Sequence, residues 1–128
     1  MKHVKYYSVL IAIVILSACS QQASSQVNNL TVDEFVKTYK STPNAQLLDV
    51  RTPGEWSQGK IASANLINFN DPSFAKNIGK LDKSKPVFVY CAVGGRSARA
   101  AQVLSKEGFK VYNLTNAGHG QLVSKGLK

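Results

Sequence analysis

The run Val87-Phe88-Val89-Tyr90-Cys91-Ala92-Val93-Gly94-Gly95-Arg96-Ser97 sets the tightest limit on how this chain folds. An apolar, β-favouring stretch stops at a cysteine, two glycines permit a tight or left-handed turn, and a helical pattern opens at the arginine. A strand that feeds a helix through so short a turn sets the Cys91 thiol in a ring of backbone N–H groups at a helix N-terminus. The positive helix end and a nearby guanidinium both favour the thiolate. Gly94 and Gly95 also leave no side chain between those amides and a bound anion.

The flanking sequence alternates in the same sense. Thr31 with Glu34 three residues on fits a capping box, leading into an amphipathic turn through Phe35, Val36 and Tyr39 that Pro43-Asn44 breaks. Residues 45 to 50 and 65 to 69 read as strands, and residues 73 to 78 as a short helix after Pro72. After the strand at residues 87 to 90, a helix is expected from about Arg96 to Lys106, with Ala98, Ala101, Val103 and Leu104 on one side and Gly108 ending it. Residues 111 to 114 form the next strand. Apolar strands separated by helices call for an α/β fold with a mainly parallel sheet covered on both faces. Ligands in such sheets sit beyond the carboxyl ends of the strands, where both Asp49 and Cys91 fall.

The N-terminus has a different character. Lys2 and Lys5 precede an apolar run over residues 6 to 16, which ends in Leu16-Ser17-Ala18-Cys19. Basic, then apolar, then small residues read as an export signal, and the run is short for a transmembrane helix. Its ending resembles the bacterial lipoprotein signal. That resemblance implies removal of residues 1 to 18, lipid on Cys19, and attachment to a membrane through that lipid; an uncleaved anchor or an ordinary signal peptide are the alternatives. Ser20 after the cysteine then points to the outer membrane of a double-membraned bacterium, with the domain facing the periplasm. Residues 19 to 29 read as the lipidated N-terminus and a polar tether, and residues 30 to 128 as one domain of about 100 residues.

Cysteine usage sharpens the question. If lipid occupies Cys19, the other cysteine of the chain, Cys91, is left unpaired in a compartment that promotes disulfides. Such a thiol is either buried and inert or used, and the glycine turn after Cys91 argues for use. The charge balance, 16 basic against 7 acidic residues, is spread along the chain without aromatic interleaving. It makes an anion-tolerant surface and gives no nucleic-acid footprint. His3 leaves with the signal, so His119 is the one histidine of the mature chain and a histidine-rich metal site is excluded. His119, among glycines, reads as a turn residue or as a neighbour of the pocket.

Three stretches carry a resemblance to the rhodanese family of single-domain sulfurtransferases. Leu48-Asp49-Val50-Arg51-Thr52-Pro53-Gly54-Glu55-Trp56 is similar to the family's first signature. Gly59-Lys60-Ile61-Ala62-Ser63-Ala64-Asn65 is similar to the second, with Lys60 where histidine is common and Ser63 where glycine is common. Cys91-Ala92-Val93-Gly94-Gly95-Arg96-Ser97 is similar to the active-site loop. Residues 116 to 122 depart from the pattern, since members often carry paired glycines and a tryptophan there.

The resemblance implies a three-layer sandwich with helices on both faces of a mainly parallel sheet, and a persulfide cycle that needs no cofactor. Cys91 would take the outer sulfur of thiosulfate or a related small anionic donor and pass it to cyanide, a small thiol or a protein thiol. The amides of residues 92 to 96 would hold the donor and the persulfide, Arg96 would support the loop's shape and field, and Ser97 would cap or donate to it. Asp49 would accept hydrogen bonds that hold the loop, Arg51 and Glu55 would pair to fix the turn after the strand, and Trp56 would pack. Two other classes compete. A carrier that stores persulfide or docks a thiol partner would share these features. Phosphatases and arsenate reductases also use a cysteine-to-arginine anion loop, but the phosphatase relatives have a loop one residue longer than that from Cys91 to Arg96.

Overall fold

The computed structural model describes residues 26 to 128. The expected signal at residues 1 to 18, the expected lipidation site Cys19 and the first part of the expected tether lie outside the described residues. Five strands form one sheet: β1 (Val27–Leu30), β2 (Gln46–Asp49), β3 (Asn65–Leu66), β4 (Val87–Tyr90) and β5 (Val111–Leu114). Their order is β1-β5-β4-β2-β3, and every pairing is parallel. Helices α1 (Val32–Ser41), α2 (Pro53–Ser57), α3 (Phe74–Asn77) and α4 (Gly95–Lys106) fill the connections, with a 3₁₀ turn at Ile78–Lys80, and α5 (His119–Ser124) follows β5.

This is the expected α/β sandwich. On one face Leu48, Val50, Val87 and Val89 pack with Phe74 and Ile78 and with Ala100, Ala101 and Leu104 of α4. On the other, Leu47, Phe88 and Tyr90 pack with Phe35 and Val36 of α1 and Leu122 of α5. Consecutive residues of β2 and β4 thus supply opposite faces, and the strands read as continuous apolar runs because both faces are covered. The α1 start has the capping box of Thr31 and Glu34. On α4 the buried residues are Ser97, Ala100, Ala101, Leu104 and Ser105, so Ala98 is on the exposed side and Ala100 takes the core position expected of it.

Two boundaries differ from the sequence reading. Residues 27 to 29, read as tether, belong to β1, which pairs along its whole length with β5 from Val27 to Val111 through Leu30 to Leu114. The polar pair Asn28-Asn29 hides the strand, yet Asn28 Nδ2 donates to the Val111 carbonyl and Asn29 Oδ1 accepts from Asn113 Nδ2. Strand β3, expected over residues 65 to 69, is paired only over Asn65–Leu66, although the amides of Ile67 and Phe69 still reach the carbonyls of Asp49 and Val50. Among the described residues no helix is long and apolar enough to cross a membrane.

Candidate active site

Strand β4 ends at Tyr90, and Cys91 begins the turn that becomes α4 four residues later. Gly94 caps the helix with φ of 104°, a left-handed conformation that favours glycine, while Gly95 already has helical backbone. The turn folds the chain back so that the Gly94 amide donates to Cys91 Sγ at 3.0 Å. Burial pushes the Cys91 thiol up, but hydrogen bonds from the Ser97 hydroxyl and from the amides of Ser97, Val93 and Gly94 outweigh it, and the pKa lies below its ordinary value. Cys91 and Ser97 are fully buried, and Val93 between them is 78% exposed. The Ser97 hydroxyl also lies 3.2 Å from the Gly94 carbonyl and 3.5 Å from that of Leu114, so its single proton is shared between the sulfur and these carbonyls.

Arg96 and Glu55 meet across the mouth of this loop. Arg96 Nη1 lies 2.6 Å from Glu55 Oε1 and Nη2 lies 2.9 Å from Oε2, a fork-to-fork pair. The Arg96 guanidinium, with help from Thr52, holds the Glu55 carboxyl down to about 2, and Glu55 in turn raises Arg96. Glu55 is presented by α2, whose capping box joins the Thr52 side chain to the Glu55 amide and the Glu55 carboxylate to the Thr52 amide.

Asp49 and Arg51 form a separate, buried group beneath the loop. Asp49 accepts from the Arg51 amide and Nε at Oδ1, both at 3.0 Å, and from Arg51 Nη2 at Oδ2 at 2.9 Å. The Tyr90 hydroxyl donates to the same Oδ2 at 3.0 Å, and Arg51 Nη2 reaches the Gly59 carbonyl at 2.8 Å. Burial and the Asp49 carboxylate push the Tyr90 phenol up, so it stays a donor at any ordinary pH.

The expected pairing of Arg51 with Glu55 does not form. Arg51 lies before the N-cap of α2 and turns inward to Asp49, whereas Glu55 is in the first turn and faces Arg96. Nor does Asp49 hold the loop directly: it accepts from Arg51 and Tyr90, and it anchors the ends of β2 and β4 to one another.

What braces the loop is the segment that departs from the family pattern. The His119 amide donates to the Cys91 carbonyl at 2.9 Å. Gly118 lies flat against the turn: a Cβ there would run into the Ala92 carbonyl and come within 2.5 Å of the Cys91 carbonyl oxygen. Its φ of −158° is ordinary extended backbone, so space alone requires the glycine. His119 is no exposed turn residue. It opens α5, half buried, its ring stacked on Tyr90 with centroids 6.3 Å apart. Burial, then the Arg51 charge, lowers its pKa, and a second positive charge is disfavoured there.

Sequence reasoning missed Tyr90, Gly118 and the Glu55–Arg96 pair. For the last, the sequence signals only where Glu55 sits, since Thr52-Pro53-Gly54-Glu55 is a capping box with proline in the first turn, and not its partner. Among the described residues no three His, Cys, Asp or Glu side chains gather to hold a metal ion.

The family model for a rhodanese-like domain matches residues 31 to 117. The chain belongs to that family. It is 42% identical over 89 residues to YqhL of Bacillus subtilis, covering 69% of this chain and 67% of that one. It is 33% identical over 91 residues to the thiosulfate sulfurtransferase GlpE of Shewanella oneidensis, covering 70% of this chain and 87% of that one. The crystal structure of a rhodanese-like domain protein from Staphylococcus aureus superposes with a TM-score of 0.66 at 28% identity, over 79% of this chain and 96% of that one. In this rhodanese-like domain the Cys91 turn thus occurs within a sulfurtransferase superfamily.

Proposed function

We propose that the protein moves sulfane sulfur through a persulfide on Cys91. The observation that carries this reading is the Gly94 amide placed 3.0 Å from Cys91 Sγ, with further donors at Val93 and Ser97. A thiolate held by amides is a nucleophile that needs no partner base. It attacks the outer sulfur of thiosulfate or a related donor. The new Sγ–S bond forms as the donor's S–S bond breaks, and sulfite leaves with the electron pair. The product Cys91–S–S⁻ carries its charge one atom further out, where the turn's free amides and the α4 dipole stabilise it. Attack on that outer sulfur by cyanide or a thiol then returns the Cys91 thiolate.

In this cycle Ala92, Val93, Gly94 and Gly95 supply backbone, Arg96 fixes the turn through Glu55, and Ser97 supports the thiolate. Asp49 and Arg51 act at one remove, as the anchor under the strand ends. The membrane setting belongs to the same proposal: residues 1 to 18 are removed and lipid on Cys19 holds the domain at the periplasmic face of the envelope. It rests on the order of Lys2, Lys5, the apolar run and Leu16-Ser17-Ala18-Cys19.

Incubation of the purified full-length protein with thiosulfate, followed by intact-mass analysis and sulfite assay, tests the chemistry. One added sulfur on Cys91, removed by cyanide as thiocyanate, is the expected result, and Cys91→Ser loses both half-reactions. Persulfide that leaves only to one protein partner would make the domain a carrier. Hydrolysis of an aryl phosphate without sulfur transfer would overturn the proposal. Mass analysis of the exported form tests the anchor, which fails if the recovered chain begins at Met1 or lacks lipid on Cys19.

A further inference from the structure

A parallel sheet puts the start of every strand at one edge and the end of every strand at the other. Cys91, Asp49 and Glu55 belong to the second edge, at or after the ends of β4 and β2. Lysines that lie far apart in the sequence gather at the first. Lys40 stands in the last turn of α1 and Lys106 in that of α4, where each helix has run back from the site edge toward the start of the next strand. Lys80 ends the 3₁₀ turn, Lys83 and Lys85 precede β4, and Lys110 precedes β5. Contacts draw these loops together: the Val87 amide donates to the Lys110 carbonyl at 2.9 Å, Gln46 Nε2 donates to the carbonyls of Asp82 and Lys85, and Lys83 Nζ lies 5.7 Å from the centre of the Phe109 ring.

The two edges differ in charge. At the lysine edge the carboxylates are Asp82, 3.7 Å from Lys85, and Glu107. Asp33, Glu34, Asp49, Glu55 and Asp71 stand at or beyond the ends of β1, β2 and β3. Lys40, Lys80, Lys83, Lys106 and Lys110 are exposed and form no ion pair among the described residues. The chain also enters the domain here, since Val27 pairs with Val111, next to Lys110. The backbone from Cys19 to Val27 spans at most about 28 Å. A bilayer that holds Cys19 is therefore within easy reach of the lysines, and contact brings them inside the ~8–10 Å over which charge is felt in salt.

We infer that this lysine edge docks on an anionic phospholipid bilayer, and that the docked domain turns Cys91 away from the membrane. The inference rests on the anchor proposed above, which brings the edge to a bilayer. Among the described residues the exposed large apolar side chains are Val93 and Val123, neither of them in the loops before β4 and β5. The contact is thus made by ammonium groups at the level of the phosphates, without insertion, and weakens with salt.

The test places the full-length protein on vesicles of phosphatidylcholine alone, or of phosphatidylcholine mixed equally with phosphatidylglycerol, and reads acetylation of each lysine by a water-soluble reagent through peptide mass analysis. On the mixed vesicles Lys80, Lys83, Lys106 and Lys110 are expected to react about fivefold more slowly, the factor set by one lysine's attraction to an anionic surface. Lys60, beside the Gly59 carbonyl that Arg51 holds, and Lys125, paired with Asp33 at the site edge, should react alike on both. High salt should remove the difference. So should the triple variant Lys83→Glu, Lys106→Glu and Lys110→Glu, with sulfur loading of Cys91 unchanged. Equal acetylation on the two vesicles, or slowing spread evenly over all lysines, overturns the inference, and the anchor still stands if the protein stays on phosphatidylcholine. Wild type that leaves phosphatidylcholine but stays on the mixed vesicles, where the triple variant does not, overturns the anchor and keeps the docking edge. Protein that stays on neither overturns both.

Discussion

Arg96 and Glu55 lie 41 residues apart in sequence and face each other fork to fork, at 2.6 and 2.9 Å, joining the first turn of the helix after the cysteine to the short helix after β2. The pair does two things for the site. It fixes the far end of the turn that holds the thiol, and it neutralises the one cation in that turn. Because the guanidinium points to Glu55, the donors that lower Cys91 are the Ser97 hydroxyl and, after it, the backbone amides of Ser97, Val93 and Gly94.

Glu55→Gln tests the first of these roles. Its carboxyl is held at about 2 in the folded protein against an ordinary value of 4.5. The ionised pair therefore contributes stability in full above about pH 4.5, and that contribution is lost as the pH falls toward 2. The side chain is partly exposed, so the pair is expected to contribute about 1–2 kcal/mol after solvent screening. Thermal melts should show the variant less stable than wild type at pH 7, with the gap closing below pH 4.5. A gap that is constant with pH would mean that lost packing, not the ion pair, explains the effect.

Ser97→Ala tests what lowers the thiol. Burial alone would raise Cys91, and the Ser97 hydroxyl is the foremost of the groups that reverse it. Removing the hydroxyl should move the midpoint of the alkylation-rate profile with iodoacetamide to higher pH, and slow alkylation most at mildly acidic pH. The amides of Val93 and Gly94 remain, so some depression should persist. A profile that does not move would leave the thiolate to the backbone alone.

The sequence was legible where one residue's chemistry dictates the local backbone, and opaque where a contact joins distant segments. The strand before Cys91, the left-handed turn at Gly94 and the helix stop at Gly108 follow from residue type and order. The pairing of Glu55 with Arg96 could not be read in that way. Arg51 and Glu55 are expected to pair across the turn after β2, yet Arg51 stands before the N-cap of α2 and turns back to Asp49, which leaves Glu55 to face Arg96. Strand β1 was hidden for a related reason: Val27-Asn28-Asn29-Leu30 has too few apolar residues to announce itself, and its stability comes from β5, more than 80 residues on. The fit of Gly118 against Ala92 is likewise a matter of two backbones meeting in space.

Gly118→Ala should damage the site more than its single methyl suggests. The new Cβ has no free direction, since it meets the carbonyls of Ala92 and Cys91 on backbone that cannot rotate aside. Overpacking of this kind costs about 1–3 kcal/mol. The turn is expected to shift, lengthening the contact between the Gly94 amide and the sulfur, so Cys91 loading should slow in protein that still melts cooperatively. Gly120→Ala, where a Cβ meets nothing within 4 Å, is the control and should load normally.

Asp49→Asn reaches the anchor below the site. The carboxylate is fully buried and accepts from three groups of Arg51 and from Tyr90, and the Arg51 side chain is itself only 6% exposed. An amide in its place supplies one acceptor oxygen and turns an N–H₂ toward the other donors, while the guanidinium loses its counter-charge out of reach of water. Breaking a buried pair in this way costs about 3–5 kcal/mol. That is a large share of the ~5–15 kcal/mol that holds a domain folded. Tyr90→Phe removes only the hydroxyl's bond to Oδ2 and should cost about 1 kcal/mol. Urea titration of both variants separates the cases. A small change in midpoint for Asp49→Asn, no greater than that for Tyr90→Phe, would show that the Arg51 charge is not what the carboxylate is there to balance.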